Sequence, residues 1–214
     1  MIKILPVFIL FLLYFSYMLF SSFSNKSISA DTSSLGSSYS LTINILGYSG
    51  ILISFVLSTL GSIRALSCIS KSVSGASILV PQVGTKSFFG IVICETNFIT
   101  CGLIMCFTML IKLGEIQRKF KSDLSNISDI SPRLASILGF NQIYFVTGVI
   151  TGLCSYASSI STGIICSAVT FMDAKDPSLF FKLVAMMFFS GAIGILSFVA
   201  GYMIISAAPK MVHL

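Results

Sequence analysis

The sequence predicts an all-α, polytopic membrane protein of about five transmembrane helices, built as two duplicated helical hairpins behind an extra N-terminal helix. Three observations lead there. Only 9% of the 214 residues are charged and 55% are hydrophobic, whereas a soluble domain carries roughly 25% charge. The mean hydropathy is correspondingly high, +0.99, and a chain so poor in charge cannot cover a surface that faces water. Uncharged runs long enough to cross a hydrocarbon core, about 20 residues for roughly 30 Å, recur along the chain. Finally, a shift of 92 residues places Phe180 on Phe88 and Gly194 on Gly102, as a doubled hairpin would.

The spans follow in order. Ile4 to Asn25 is the first uncharged run. Lys3, an apolar stretch and then small polar residues also describe a secretory signal peptide, but the 17 apolar residues from Ile4 to Phe20 exceed the usual h-region of about 7–15, so a retained helix is expected. The second run, Leu35 to Ile63, is polar at its start, which puts the expected beginning of the helix near Thr42. The third, Ser87 to Ile111, is interrupted only by Glu95. The fourth is Gly139 to Met172. The fifth, Leu183 to Ala208, is preceded by Asp176-Pro177, an N-cap followed by proline at the first helical position.

The connections divide the chain. Residues 26–41 are Ser-rich and suit a surface loop, and residues 70–86 form a short connection with Gly75, Pro81 and Gly84 as breakers. The largest share of the charge lies in 112–138, and 173–178 (DAKDPS) make a tight polar turn. The expected units are therefore an N-terminal helix with its polar loop (1–41), a first hairpin (42–113), a charged connection (114–138) and a second hairpin (139–214).

A formal net charge of +6 does not point to nucleic acid, because the basic residues are scattered through short connections with no basic face. They are the loop charges of a membrane protein, and their count does not fix orientation. Six (Lys3, Arg64, Lys71, Lys86, Lys175, Lys182) fall on one side and seven (Lys26, Lys112, Arg118, Lys119, Lys121, Arg133, Lys210) on the other. Cys68, Cys94, Cys101, Cys106, Cys154 and Cys166 form no CxxC pair and lie in apolar runs, and the single histidine, His213, cannot complete a metal site with them. They read as small packing residues; no disulfide scaffold, metal or cofactor is expected.

Small residues recur at intervals of four on two helices. The second span has Gly50, Ser54, Ser58 and Ser62, with Gly61 and Ala65 alongside; the fourth has Gly148 and Gly152, then Ser155, Ser159, Gly163 and Ser167. Such stripes let helix backbones approach closely in lipid, where packing and hydrogen bonds replace the hydrophobic effect.

Glu95 is the anomaly. It follows Lys86 by nine residues, about 13 Å along a helix, which is near the bilayer midplane. An ionised acid there costs at least about 2.5–3.5 kcal/mol, and intramembrane acids are functional by default. Desolvation disfavours the charged form, so a mostly protonated resting side chain is expected. A group that is neutral in lipid but ionises beside a cation can carry a proton across a barrier in two steps; the alternative is a protonated acid that only hydrogen-bonds a neighbouring helix. Asn97 points elsewhere round the helix and reads as packing glue. Arg64, near the expected end of its helix, reads as a snorkelling cation beside Lys71. The 92-residue shift sets Met187 opposite Glu95, so one hairpin keeps a carboxylate that the other lacks.

These residues resemble a known family. Leu57–Lys86, LSTLGSIRALSCISKSVSGASILVPQVGTK, is similar to the second helix and following loop of the c-double-prime proteolipids of V-type proton-translocating ATPases, and it leads into SFFGIVICETNFITCGLIM, which resembles their glutamate-bearing helix. DAKDPSLFFKL and FFSGAIGILSF resemble their second hairpin. The likeness covers roughly residues 45–206, and the N-terminal helix matches the extra span that separates this type from the ordinary four-helix proteolipid. An acid in the first hairpin, with Met187 in the second, favours the same type. Three departures stand out: a second glutamate is frequent in the family where Met187 stands, a tryptophan where Arg64 stands, and glycines where the second span has serines.

The resemblance implies a rotor ring made with other proteolipid subunits. Glu95 would pick up a proton from one half-channel and release it near an arginine of the stationary a subunit. Central-stalk subunits and membrane lipid would be further partners, and ATP would be hydrolysed on other subunits, since this chain has no GxxxxGK[ST] motif. The implied location is the membrane of a vacuole or another acidified compartment, with connections 70–86 and 173–178 facing the cytoplasm. The other classes weighed are a proteolipid-like structural protein or channel in which Glu95 carries no proton, and a membrane enzyme, for which no Ser/His/Asp set or metal cluster is present.

Overall fold

The computed structural model describes residues 35–123 and 131–212. Over these the chain is helical: α1 (Leu35–Leu79), α2 (Val83–Asn97), a π-helical segment (Phe98–Ile104), α3 (Met105–Asp123), α4 (Ser131–Lys175), a 3-10 turn (Pro177–Leu179) and α5 (Phe180–Val212). Four stretches are long and apolar enough to cross a membrane: Ile45–Ile78, Val83–Ile116, Ser136–Lys175 and Phe180–Ala208. The all-α, polytopic class is therefore as expected. The expected first span, Ile4 to Asn25, lies outside the described residues. Residues 43–214 form one compact unit.

Several boundaries differ from those expected. The second span starts at Leu35 rather than near Thr42, and it does not end at Ile63 but runs to Leu79. Residues 70–79, assigned above to a connection, are helical, and their serines turn back on the helix itself. Ser67, Ser70, Ser74 and Ser77 donate to the carbonyls of Arg64, Ser67, Lys71 and Ser74, which satisfies the hydroxyls that would otherwise favour a turn. Gly75 is tolerated. Pro81, which has no N–H and restricts the residue before it, makes the break over Val80–Gln82. The charged connection is likewise helical as far as Asp123 and again from Ser131. Before α5, Asp176 is extended and Pro177 follows at the first position as predicted, although the Asp176 side chain makes no capping bond.

The stripe of small residues joins α1 to α4. A Cβ on Gly163 would lie 2.7 Å from the Cα of Ala65, and one on Gly61 or Gly152 would lie 2.9 Å from the Cα of Tyr156 or Ser54. Gly50 and Gly148 meet backbone to backbone. Only residues without a side chain permit this. Ser54 bonds Thr151 at 3.3 Å and Ser58 bonds Ser155 at 3.1 Å, both across 97 residues of sequence, and Ser72 bonds Ser167 further along. The partners advance together, so α1 and α4 run parallel. Ser62 and Ser159 are buried with no hydrogen-bond partner among the described residues; their small size, not their polarity, is what the interface uses. Of the small residues singled out in the sequence, all lie buried except Ser167, which is half-buried.

The second layer, α2 with its π segment against α5, is also parallel but spaced by side chains. Met187 stands beside Gly90 and Asn97 beside Gly194, and the Cys101 thiol donates to the Gly194 carbonyl at 3.1 Å. One layer thus packs backbone against backbone and the other on side chains.

Candidate functional site

Glu95 is exposed and projects from α2 away from the bundle. Its helical neighbours on that face, Phe88, Val92 and Ile99, are exposed apolar residues at 61%, 45% and 45%, so the carboxyl sits within a stripe suited to lipid. The opposite face of α2 is interior: Ser87, Gly90, Cys94 and Asn97 are buried. Among the described residues Glu95 has neither hydrogen bond nor ion pair. Asn97 behaves as its spacing predicted, buried and donating through Nδ2 to Ser158 Oγ at 3.1 Å.

Three residues past Glu95 the helix widens into the π segment Phe98–Ile104. The hydroxyls of Thr96 and Thr100 bond back to Val92 O at 2.7 Å and Thr96 O at 2.9 Å. Such back-bonding loosens a helix, and π turns concentrate at functional sites. The threonines at 96 and 100 were the available signal, and periodicity alone does not reveal them.

Met187 occupies a different environment from Glu95. It is 2% exposed, in a cluster with Cys94, Cys166, Val169 and Phe180. It is level with Gly90 rather than with Glu95, so the 92-residue correspondence of sequence is not a side-by-side contact. The cysteines are free thiols, three of them buried.

Arg64 is not near a helix end. With α1 running to Leu79, it lies well inside the apolar stretch Ile45–Ile78, exposed, with Lys71 two turns further along. It therefore does not count among loop charges.

A further pair has no signature in the sequence. Lys86, on the first turn of α2, donates to Asp173 Oδ1 at 2.9 Å, and the Asp173 side chain is only 2% exposed. The ammonium also lies 5.4 Å from the Phe180 ring centroid, a cation–π distance. Asp173, expected in a polar turn, is in fact a buried residue of the last turns of α4.

Residues 145–204 match the family model of the ATP synthase C subunit. Three relatives to which the chain is similar are of one type. Over 152 residues the chain is 26% identical to the c''2 subunit of the V-type proton ATPase of Arabidopsis thaliana, covering 71% of this chain and 79% of the relative. It is 26% identical to the c''1 subunit of the same plant, covering 71% and 78%. To the c'' subunit of the V-type proton ATPase of Saccharomyces cerevisiae it is 25% identical over 161 residues, 75% of this chain and 70% of the relative. The likeness read from the motifs holds: the chain is a homologue of the V-type c'' subunits of plants and yeast.

Proposed function

We propose that this chain is a proteolipid subunit of the membrane rotor ring of a V-type ATPase, and that Glu95 is its proton carrier. The observation that carries the reading is the setting of Glu95, a carboxyl without a partner among the described residues, in an exposed apolar stripe about 13 Å along α2 from Lys86. A ring is supported by the packing. Parallel hairpins set side by side make a head-to-tail contact, and head-to-tail contacts close into rings when the rotation per unit allows it. The closely packed α1 and α4 would lie inside and α2 and α5 outside.

On the outer face the acid meets lipid, where the neutral form is favoured, and it turns past a stationary partner as the ring rotates. There an arginine favours the ionised form and the proton leaves; reprotonation from the second half-channel returns the group to lipid. ATP hydrolysis on peripheral subunits drives the rotation. Membranes of vacuoles or other acidified compartments are the proposed location, and other proteolipids, the stationary a subunit and the central stalk the proposed partners.

The test is Glu95→Gln, which keeps shape and removes the titratable group. In membranes where the variant enters the ATPase at the normal level, ATP-driven acidification should fall to background. Undiminished acidification would leave only the structural or channel reading. A hydrophobic carbodiimide should label Glu95 at neutral pH and should not label the variant.

A further inference from the structure

The pair Lys86–Asp173 stands apart from the rest of the packing. Among the described residues it is the one ion pair between the two hairpins, the other, Lys112–Glu115, being local to α3. It is also tightly placed. Asp173 is almost wholly buried, so its charge has Lys86 as compensation, and Lys86 touches both sides of the second hairpin's turn: Asp173 before it and Phe180 after it. A buried carboxylate deprived of its partner is strongly unfavourable, so this contact has one geometry.

Packing at this end rests on the buried Val83, Ser87 and Gly90. A small cavity of about 10 Å³ lies beside the pair, lined by Val83, Ser87, Phe89, Thr170 and Met187 among others. The next α2 residue against α5 is Gly90, which has no side chain to interlock. The Cys166 thiol donates to the Ser87 carbonyl at 4.0 Å, and beyond Gly90 the Asn97 amide fastens α2 again at Ser158. Glu95 lies between these fixings. It is nine residues from Lys86, about 13 Å along the axis and, at 3.6 residues per turn, about 180° round it. A helix gripped on its inner side at Lys86 therefore presents Glu95 straight outward.

We infer that Lys86 and Asp173 are positioning residues for the proton-carrying acid: their ion pair sets the height and rotation of α2, and with them the place at which Glu95 meets its partner. The inference rests on the proton-carrier reading above. Small displacements of a reacting group lower rates steeply, about a hundredfold for 1 Å in unfavourable cases, so an unlatched α2 should pump poorly even in an assembled ring.

The experiment compares Lys86→Met, Asp173→Asn, the double variant and the charge-reversed pair Lys86→Asp/Asp173→Lys in the complete ATPase. Three quantities are measured: the amount of chain in the complex, ATP-driven proton pumping and the rate at which a hydrophobic carbodiimide labels Glu95. Per assembled chain, each single variant should lose pumping about tenfold or more and change its labelling rate. The double variant should be no worse than the worse single, and the reversed pair should regain pumping and labelling to within about threefold. Normal pumping and labelling in Lys86→Met would overturn the inference. Should both singles fail to enter the ring, the reversed pair decides: assembly with normal labelling supports the latch, and exclusion from the ring overturns it. Glu95→Gln run alongside separates the two readings, since its loss of pumping beside a fully active Lys86→Met removes the latch and leaves the carrier.

Discussion

Glu95 and Met187 stand on corresponding turns of the two outer helices, yet one is exposed and the other is 2% exposed. Nothing in α2 or α5 themselves explains the difference. What differs is the neighbour. Beside Met187 stand Gly90, Cys94 and Cys166, so the first hairpin closes that face of the second. Among the described residues nothing closes the matching face of the first hairpin. The contrast teaches that one hairpin–hairpin contact is satisfied internally and its counterpart is left at an edge, and the acid is at the edge. Within the described residues the acid is accessible and a group at 187 is sealed in.

The most severe way to break this comparison is to move the acid. In Glu95→Gln/Met187→Glu the carboxyl is restored to the molecule but placed in the sealed position. Pumping should remain at background. The chain should also be less stable, because a buried group without hydrogen-bond partners costs several kcal/mol if charged and roughly 1–3 kcal/mol if neutral. Recovered acidification would mean that position 187 is accessible and that burial does not distinguish the two sites.

A somewhat smaller effect is expected from the inner layer, on which both positions depend for their register. In Gly148→Leu a side chain meets the Gly50 carbonyl group and Cα, backbone atoms that cannot move aside without parting α1 from α4. Overpacking typically costs about 1–3 kcal/mol and more where backbone must shift, so the variant should be largely absent from purified complexes. Gly75→Ala, where nothing lies within 4 Å, should enter the complex as the parent does. Equal incorporation of both would remove the distinction between a backbone-packed inner layer and a side-chain-packed outer one.

Much of this was legible in the sequence, for reasons that also mark the boundary of legibility. Charge-poor runs reveal membrane spans because lipid penalises anything else, and Gly50, Gly148 and Gly163 reveal their interface because backbone contact admits no other residue. Glu95 was conspicuous for the same reason, as the one acid within an apolar run. The boundary lies where a residue's meaning depends on a partner distant in sequence. Ser70, Ser74 and Ser77 looked like a loop, yet each bonds the helix carbonyl three residues back. Asp173 looked like turn polarity until Lys86, 87 residues earlier, was seen beside it. Arg64 looked terminal because the helix was expected to stop. The π segment begins beside the back-bonded Thr96 and Thr100, but the same back-bonding at Thr147 and Thr162 leaves α4 regular, so the residue types alone do not announce it.

The least change is expected at Met187 itself, and it sharpens the comparison most. The side chain fills space against Cys94, Cys166 and Phe180 and has no titratable group, so its role in this chain is volume. Met187→Leu conserves volume and should cost less than about 1.5 kcal/mol, leaving pumping at the parental level. Met187→Ala removes most of the side chain and should cost roughly 2–5 kcal/mol through lost packing and the cavity left behind. That loss should be read as a shorter half-life of the complex in warm detergent, with pumping per surviving complex unchanged. The two substitutions separate packing from chemistry at one position: if Met187→Leu lowers pumping in complexes that are as durable as the parent, then the second hairpin takes part in proton transfer, and Glu95 and Met187 are not the carrier and the filler that their surroundings make them.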